Sequence, residues 1–115
     1  MTLREKQSAF AILVAQLIQH AFGMGYAVTF GEAYRSPEEA ARLAKLGKGI
    51  TKSLHTQRLA IDLNLFKAGQ YLSTTEAHRP LGEWWEAQST PEVTCAWGGR
   101  FSDGNHYSLA HGGRK

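Results

Sequence analysis

The chain has 115 residues, of which 43% are hydrophobic, and a formal net charge of +3. This length and composition exclude a disordered chain and predict one domain, spanning residues 1–115, with its own core. The weak positive charge is not concentrated in a basic run, and no apolar stretch is long enough to span a membrane, so we expect neither nucleic acid nor membrane as a partner. The single cysteine, Cys95, allows no intramolecular disulfide, and its apolar neighbours favour a core position.

Hydrophobic periodicity predicts an α+β fold. In some segments the apolar residues recur three and four positions apart, as in helices, and in others they alternate, as in strands. Glycine and proline separate the segments. The predicted elements are a helix capped by Thr2 or Ser8 and ending near Phe22, a strand over 26–34, a helix over 36–46, a strand over 59–66, a hairpin return at 71–72, a helix over 81–88, a strand over 93–97 and a last strand within 103–109. We therefore expect a small, mostly antiparallel sheet of about four strands packed by two or three helices.

The strand over 59–66 contains the first candidate site residue. Its leucine and isoleucine side chains share one face, and Asp62 lies on the other. Aspartate is disfavoured in a strand, so Asp62 needs either solvent or a partner. His55 precedes it by seven residues, and the two side chains converge only if the chain bends between them, for which the polar segment 56–58 is suited.

A second set of polar residues lies near the C-terminus. The segment 103–105 has the composition of a turn, and His106 then begins a strand. If the two strands are neighbours, His55, Asp62 and His106 converge. Two imidazoles and one carboxylate leave the fourth position of a tetrahedral zinc ion open for water, which is the catalytic pattern. Asp103 would then be placed as a base, and we expect the zinc site on the open face of the sheet.

Two sequence patterns resemble the zinc site of the M15 peptidases. Ser-x-His with an aspartate seven residues after the histidine occurs at 53–62, and Asp-x-x-His-Tyr occurs at 103–107. The segments 32–36 and 97–99 also resemble this family, which includes D-alanyl-D-alanine carboxypeptidases and phage L-alanyl-D-glutamate endolysins. One departure is Arg58, because the family often has glycine at that position.

The resemblance, which covers roughly residues 28–109, implies an α+β zinc peptidase that cleaves peptidoglycan stem peptides. We expect a monomer without a signal peptide, made in the host cytoplasm and acting on the wall after release, for example through a holin. The implied roles are His55, Asp62 and His106 as zinc ligands, Asp103 as catalytic base, Arg35 as the group that orients or polarises the substrate carbonyl, and Ser53 as a substrate-binding residue.

Other interpretations stay open. Two histidines and one carboxylate also suit a non-haem iron oxygenase. A non-catalytic zinc-binding or wall-binding module would keep the ligands without hydrolysis, and a basic nucleic-acid binder is a third alternative. The resemblance also leaves open which peptide bond is cut.

Several further residues receive structural expectations. We expect His78 on the surface, one of Trp84 and Trp85 in the core and the other beside the substrate cleft. Pro80 and Gly82 are expected to break the helix that contains them. The segment 47–52 is expected to be a flexible, solvated basic loop that leads into the site, with the binding of an anionic substrate as the alternative. The segment 111–115 is expected to be a frayed tail.

Overall fold

The chain forms three helices and one antiparallel sheet of five strands, so the α+β prediction is confirmed. The computed structural model describes all residues from 1 to 115. None of the three helices combines the length and the hydropathy that a membrane crossing requires. The elements are α1 (Leu3–Gly23), β1 (Tyr26–Phe30), α2 (Pro37–Lys45), β2 (Ala60–Lys67), β3 (Gln70–Leu72), α3 (Arg79–Ala87), β4 (Cys95–Trp97) and β5 (His106–Leu109), with 3₁₀ turns at Leu54–Gln57, Glu76–His78 and Gly98–Phe101.

Strand β2 is the centre of the sheet. It pairs with β1 along one edge and with β5 and β3 along the other, and β4 lies beyond β5. The register places Asp62 opposite His106 and Ile61 opposite Tyr107. Residues directly opposite each other in an antiparallel pair share a face, so Asp62 and His106 lie on one face and Ile61 and Tyr107 on the other.

The face that carries Ile61 and Tyr107 forms the core with helices α1 and α3. Trp85 of α3 is fully buried there, with its ring centroid 5.9 Å from that of Phe10 and 6.1 Å from that of Tyr107. Its indole N–H donates to the carbonyl of Ser108 at 3.0 Å. Trp85, one of the two fully buried tryptophans of the core, therefore packs on both helices and strands while its polar atom is satisfied.

The starts of the first two helices follow the sequence signals. Thr2, rather than Ser8, caps α1 and forms a capping box with Glu5. Ser36 caps α2, and Pro37 occupies the first helical position. These side chains accept hydrogen bonds from backbone N–H groups that a helix start leaves without partners.

The third helix corrects the sequence prediction. It begins at Arg79 rather than at 81 and contains both Pro80 and Gly82. Pro80 lies in the first turn, where the missing N–H breaks no intrahelical bond. A Cβ on Gly82 would lie 2.1 Å from the indole ring of Trp97, so glycine permits the helix to approach β4. Packing against Trp97 therefore overrides the helix-breaking tendency of these residues.

Further expectations about single residues are wrong. His78 is buried, not exposed, and its Nδ1 lies 3.0 Å from the Tyr107 hydroxyl. Trp84 does not lie beside the cleft that contains the predicted site residues; it stacks instead on His20 of α1, with ring centroids 4.7 Å apart. Strand β1 ends at Phe30, short of the predicted residue 34.

The C-terminal segment is not frayed. His111 and Arg114 exchange two backbone hydrogen bonds, of 2.9 and 3.0 Å. The side chain of His111 lies against the ammonium group of Lys6, 3.1 Å away, and is not part of the metal-binding group described below.

Candidate metal centre

Three side chains converge on the open face of the sheet. His55, Asp62 and His106 each offer one ligand atom, and these atoms lie within 4.8 Å of one another. Nε2 of His55 and Nδ1 of His106 are both 3.4 Å from the same oxygen of Asp62, Oδ1. Ligand atoms about 2.0–2.2 Å from a common tetrahedral ion lie roughly 3.3–3.5 Å apart. The spacing and the donor types therefore suit a metal ion.

The burial of Asp62 Oδ1 supports the same interpretation. This oxygen is shielded from solvent and has no hydrogen-bond partner. The two imidazole nitrogens at 3.4 Å are beyond the usual hydrogen-bond distance. A buried carboxylate oxygen without a partner costs free energy, and a bound cation would remove that cost.

His55 is positioned through both its backbone and its ring. It lies in the 3₁₀ turn Leu54–Gln57, and the hydroxyl of Ser53 accepts its backbone N–H at 3.2 Å. Its Nδ1 lies 3.1 Å from the carbonyl of Ala33. Since a carbonyl can only accept, Nδ1 carries the proton and the lone pair of Nε2 points to Asp62. The contact with His55 is a positioning contact, so substrate binding by Ser53 stays a prediction.

The bend that the sequence required before β2 lies at Arg58. This residue has a φ of 56°, in the left-handed region that favours glycine. Its guanidinium lies 4.0 Å from the centre of the Tyr34 ring, a cation–π contact that holds the side chain in place. Arg58 thus adopts a conformation that glycine reaches more easily than a residue with a side chain.

Asp62 is fixed through its backbone. Its N–H donates to the carbonyl of Glu32 and its carbonyl accepts from Gly31, both at 2.8 Å. A Cβ on Gly31 would lie 3.0 Å from the Asp62 carbonyl oxygen, so this close approach favours glycine. The segment that follows β1 therefore braces both Asp62 and, through Ala33, His55.

His106 is positioned by a close backbone approach beneath the turn that precedes it. A Cβ on Gly98 would lie 2.2 Å from the carbonyl oxygen of Asp103 and 2.7 Å from Cβ of His106. Trp97 secures the same turn, because its indole N–H donates to the carbonyl of Gly104 at 2.7 Å. Nε2 of His106 is buried without a partner, so nothing equivalent to the Ala33 carbonyl fixes its tautomer.

The charges of the triad influence one another. Burial opposes ionisation of Asp62, but the two histidines beside Oδ1 favour the carboxylate more strongly and lower its pKa to about 2. Burial likewise opposes protonation of His55, and contacts with Asp62 and the Ala33 carbonyl outweigh it, so the pKa of His55 is raised. Asp62 is therefore anionic throughout the physiological pH range.

Asp103 lies beside the triad and not within it. Its Oδ2 is 3.9 Å from Nδ1 of His106, and its side chain is half-exposed. Burial raises the pKa of Asp103, and the nearby Asp62 carboxylate acts in the same direction against the charge of His106. A carboxylate with a raised pKa next to a metal-binding group is suited to accept and return a proton.

Arg35 is held at the same cleft by Glu32. The guanidinium donates to the Glu32 carboxylate through Nε, at 3.0 Å, and through Nη2. The Arg35 side chain is only 13% exposed, and its backbone N–H donates to the carbonyl of His55 at 3.1 Å. The sequence contained this pairing as a glutamate and an arginine three residues apart, although only the arginine was identified.

All the site residues predicted from the sequence line one cleft of about 560 Å³. The structure adds basic residues that the sequence reasoning did not assign to the site, in the loop after α2 and in the C-terminal segment.

No model of a known protein family matches the chain, and no curated protein matches it. One cleft contains a triad suited to a metal ion, together with a carboxylate and a guanidinium. This arrangement is of the kind that metal-assisted hydrolysis requires. The predicted residues in the cleft are Arg35, Ser53, His55, Asp62, Asp103 and His106.

Proposed function

We propose that this protein is a zinc-dependent peptidase of the M15 type that cleaves peptidoglycan stem peptides. The observation that carries the proposal is the convergence of His55, Asp62 and His106, with Asp103 and Arg35 at the same cleft. Two nitrogen ligands and one oxygen ligand are typical of catalytic zinc sites that keep a position for water. The identity of the metal is part of this proposal.

The chain's own residues supply the remaining chemistry. Zinc, when bound, polarises the substrate carbonyl and acidifies water. Asp103 accepts a proton from the attacking water as the new carbon–oxygen bond forms. The same carboxyl group then returns the proton to the amine nitrogen as the carbon–nitrogen bond breaks.

Arg35 is assigned to the substrate carbonyl. Its guanidinium keeps its charge at any working pH and offers donors in a rigid fork. Glu32 engages Nε and Nη2, which holds the side chain in one orientation at the cleft. Donors held in place before the reaction stabilise the negative charge that develops on the carbonyl oxygen without reorganisation.

Digestion of purified peptidoglycan by the zinc-loaded protein tests the proposal. Mass spectrometry of the released fragments should show new L-Ala C-termini with D-Glu N-termini, or free terminal D-Ala. Asp103→Ala should lower the rate by about 100-fold to 10,000-fold while zinc stays bound. If the wild-type protein binds zinc stoichiometrically and releases no fragment, the peptidase proposal fails and a zinc-dependent binding module replaces it.

Arg35→Lys provides a second test of the roles. Lysine keeps the charge but lacks the fork, so we expect kcat to fall by about 100-fold. Arg42→Lys is the matched control, because Arg42 forms the same type of pair with Glu39 three residues earlier, on an exposed part of α2. Equal activity of the two variants would remove Arg35 from the mechanism.

A further inference from the structure

The cleft has more positive charge than the proposed mechanism uses. Lys48 and Arg114 line it, and neither forms an ion pair. The charge of Arg35 is offset by Glu32, and the carboxylates of Asp62 and Asp103 would offset a divalent ion. Lys48 and Arg114, together with Lys115, therefore remain at the cleft without an ion-pair partner.

Arg114 reaches the cleft because the C-terminal segment folds back in a tight turn. The backbone groups of His111 and Arg114 are paired, and the two residues between them, Gly112 and Gly113, have φ values of 57° and 78°. Positive φ at both central residues is typical of the two-residue turns that reverse a hairpin. The turn returns the chain to the cleft at Arg114.

The base of this turn is fixed to the rest of the fold. The N–H of Ala110 donates to the carbonyl of Thr94 at 2.9 Å. The ammonium group of Lys6 in α1 lies 3.4 Å from the Ala110 carbonyl and 3.1 Å from Nδ1 of His111. These contacts make the segment that carries Arg114 a built part of the cleft wall.

Lys48 lies in a loop that packs against Arg35. Its N–H donates to the carbonyl of Leu43 at 2.8 Å, which ties the loop to the end of α2. A Cβ on the next residue, Gly49, would lie 3.3 Å from Nη1 of Arg35. The loop backbone therefore lies close to the arginine assigned to the substrate carbonyl.

We propose that Arg114 and Lys48 form a subsite for a carboxylate on the substrate residue that supplies the leaving amine. This subsite rests on the proposed function and names part of its substrate. In both bonds left open by the sequence, L-Ala–D-Glu and D-Ala–D-Ala, the residue on the amine side carries a carboxylate outside the scissile bond. Lys115 also lines the cleft, but it faces a second cavity that it shares with Glu86 and Arg100, so it is not assigned to the subsite.

Two pairs of synthetic peptides test this subsite. One pair contains L-Ala-D-Glu with the free carboxylate of D-Glu either intact or converted to the carboxamide. The other pair ends in D-Ala-D-Ala as the acid or as the amide. The zinc-loaded wild-type protein should prefer the acid in at least one pair, and that pair identifies the source of the carboxylate.

Variants that remove one positive charge test which residues cause the preference for the acid over the amide. Arg114→Gln and Lys48→Gln should each lower the acid-over-amide ratio of kcat/KM by about threefold to fivefold, as expected for one partly solvated ion pair, mainly through KM. Activity on the amide should fall less than activity on the acid. Arg4→Gln is the matched control, because it removes one positive charge from α1, outside the cleft.

A backbone variant tests the turn separately. A Cβ at Gly112 or Gly113 meets nothing within 4 Å, so Gly112→Ala/Gly113→Ala acts only through the positive φ values. This double variant should lose the contribution of Arg114 and keep that of Lys48. A full acid preference in the double variant would contradict the role of the turn.

The outcomes separate the subsite from the proposed function. If the wild-type protein hydrolyses acid and amide equally in both pairs, or if the glutamine variants keep the preference, the subsite is wrong and the peptidase proposal stands. If nothing is hydrolysed, calorimetric binding of the same peptides decides. Tighter binding of the acid that Arg114→Gln weakens supports the subsite, and equal binding of acid and amide overturns it.

Discussion

The two faces of the central strands β2 and β5 differ in how their polar groups are satisfied. On the core face, the indole of Trp85 donates to Ser108 and the hydroxyl of Tyr107 meets Nδ1 of His78 at 3.0 Å. On the open face, Oδ1 of Asp62, Nε2 of His106 and Oγ of Ser108 are buried without partners. Both faces bury polar groups, but only the core-face groups named here have hydrogen-bond partners.

This difference separates structural from functional burial. A buried polar atom without a partner lowers the free energy of unfolding, and native proteins contain few of them. Here all three lie on strand positions that share one face, and two of them belong to the candidate metal ligands. The buried histidine on the core side, His78, has a partner and no carboxylate ligand beside it, so it is not a ligand candidate.

The largest expected effect is the loss of zinc affinity when the carboxylate is removed from the open face. Asp62→Ala should weaken zinc binding by more than about 100-fold while the protein stays folded, since even the loss of a residue that only contacts a metal ligand can cost that much. Zinc should therefore raise the unfolding temperature of the wild type and leave that of the variant unchanged. Asn64→Ala is the matched control, because Asn64 lies two residues further along the same face and bonds to Thr29 instead. Equal zinc binding by Asp62→Ala and wild type would contradict a metal-binding role for the open face.

A smaller effect is expected from a volume change on the core side. Gly82→Ala forces a methyl group against the Trp97 ring, so it should lower the free energy of unfolding by about 1–3 kcal/mol. Gly23→Ala, at the end of α1, places the same methyl group where nothing lies within 4 Å and should be close to neutral. Denaturant unfolding of both variants measures the difference. If they are equally stable, the close packing of α3 on β4 is wrong.

The sequence predicted the framework of the site because local patterns determine it. The alternation of apolar residues from Leu59 to Leu65 identified β2 and placed Asp62 on the opposite face. The required bend before β2 is present as a 3₁₀ turn ending at Arg58. The convergence of His55, Asp62 and His106 followed from the assumption that β2 and β5 are neighbours, which the strand pairing confirms.

The errors arise where distant contacts override local preference. Pro80 and Gly82 indicated a broken helix, yet the position of Trp97 makes Gly82 necessary inside α3. His78 is buried by Tyr107, which lies 29 residues away and gives no local signal. The Gly112-Gly113 pair does carry a local signal, since two consecutive glycines are typical of a tight turn. Both residues have positive φ in the structure. Composition alone had suggested a frayed tail there.

The smallest predicted effect concerns the pH dependence of the core face. Burial lowers the pKa of His78, so the folded state binds a proton there less readily than the unfolded state. This residue therefore costs stability once the pH falls below the ordinary histidine pKa of about 6.5. His78→Gln should reduce the loss of stability between about pH 7 and pH 5. Denaturant unfolding at both pH values measures it, and an unchanged difference between them would contradict a neutral buried His78.

Zinc-edge X-ray absorption of the zinc-loaded wild-type protein identifies the atoms that bind the metal. We expect two imidazole nitrogens and two oxygens about 2.0–2.2 Å from zinc, one oxygen from Asp62 and one from water. A sulfur scatterer at about 2.3 Å would instead point to Cys95. That result, or a spectrum without imidazole, would contradict a metal centre built from His55, Asp62 and His106.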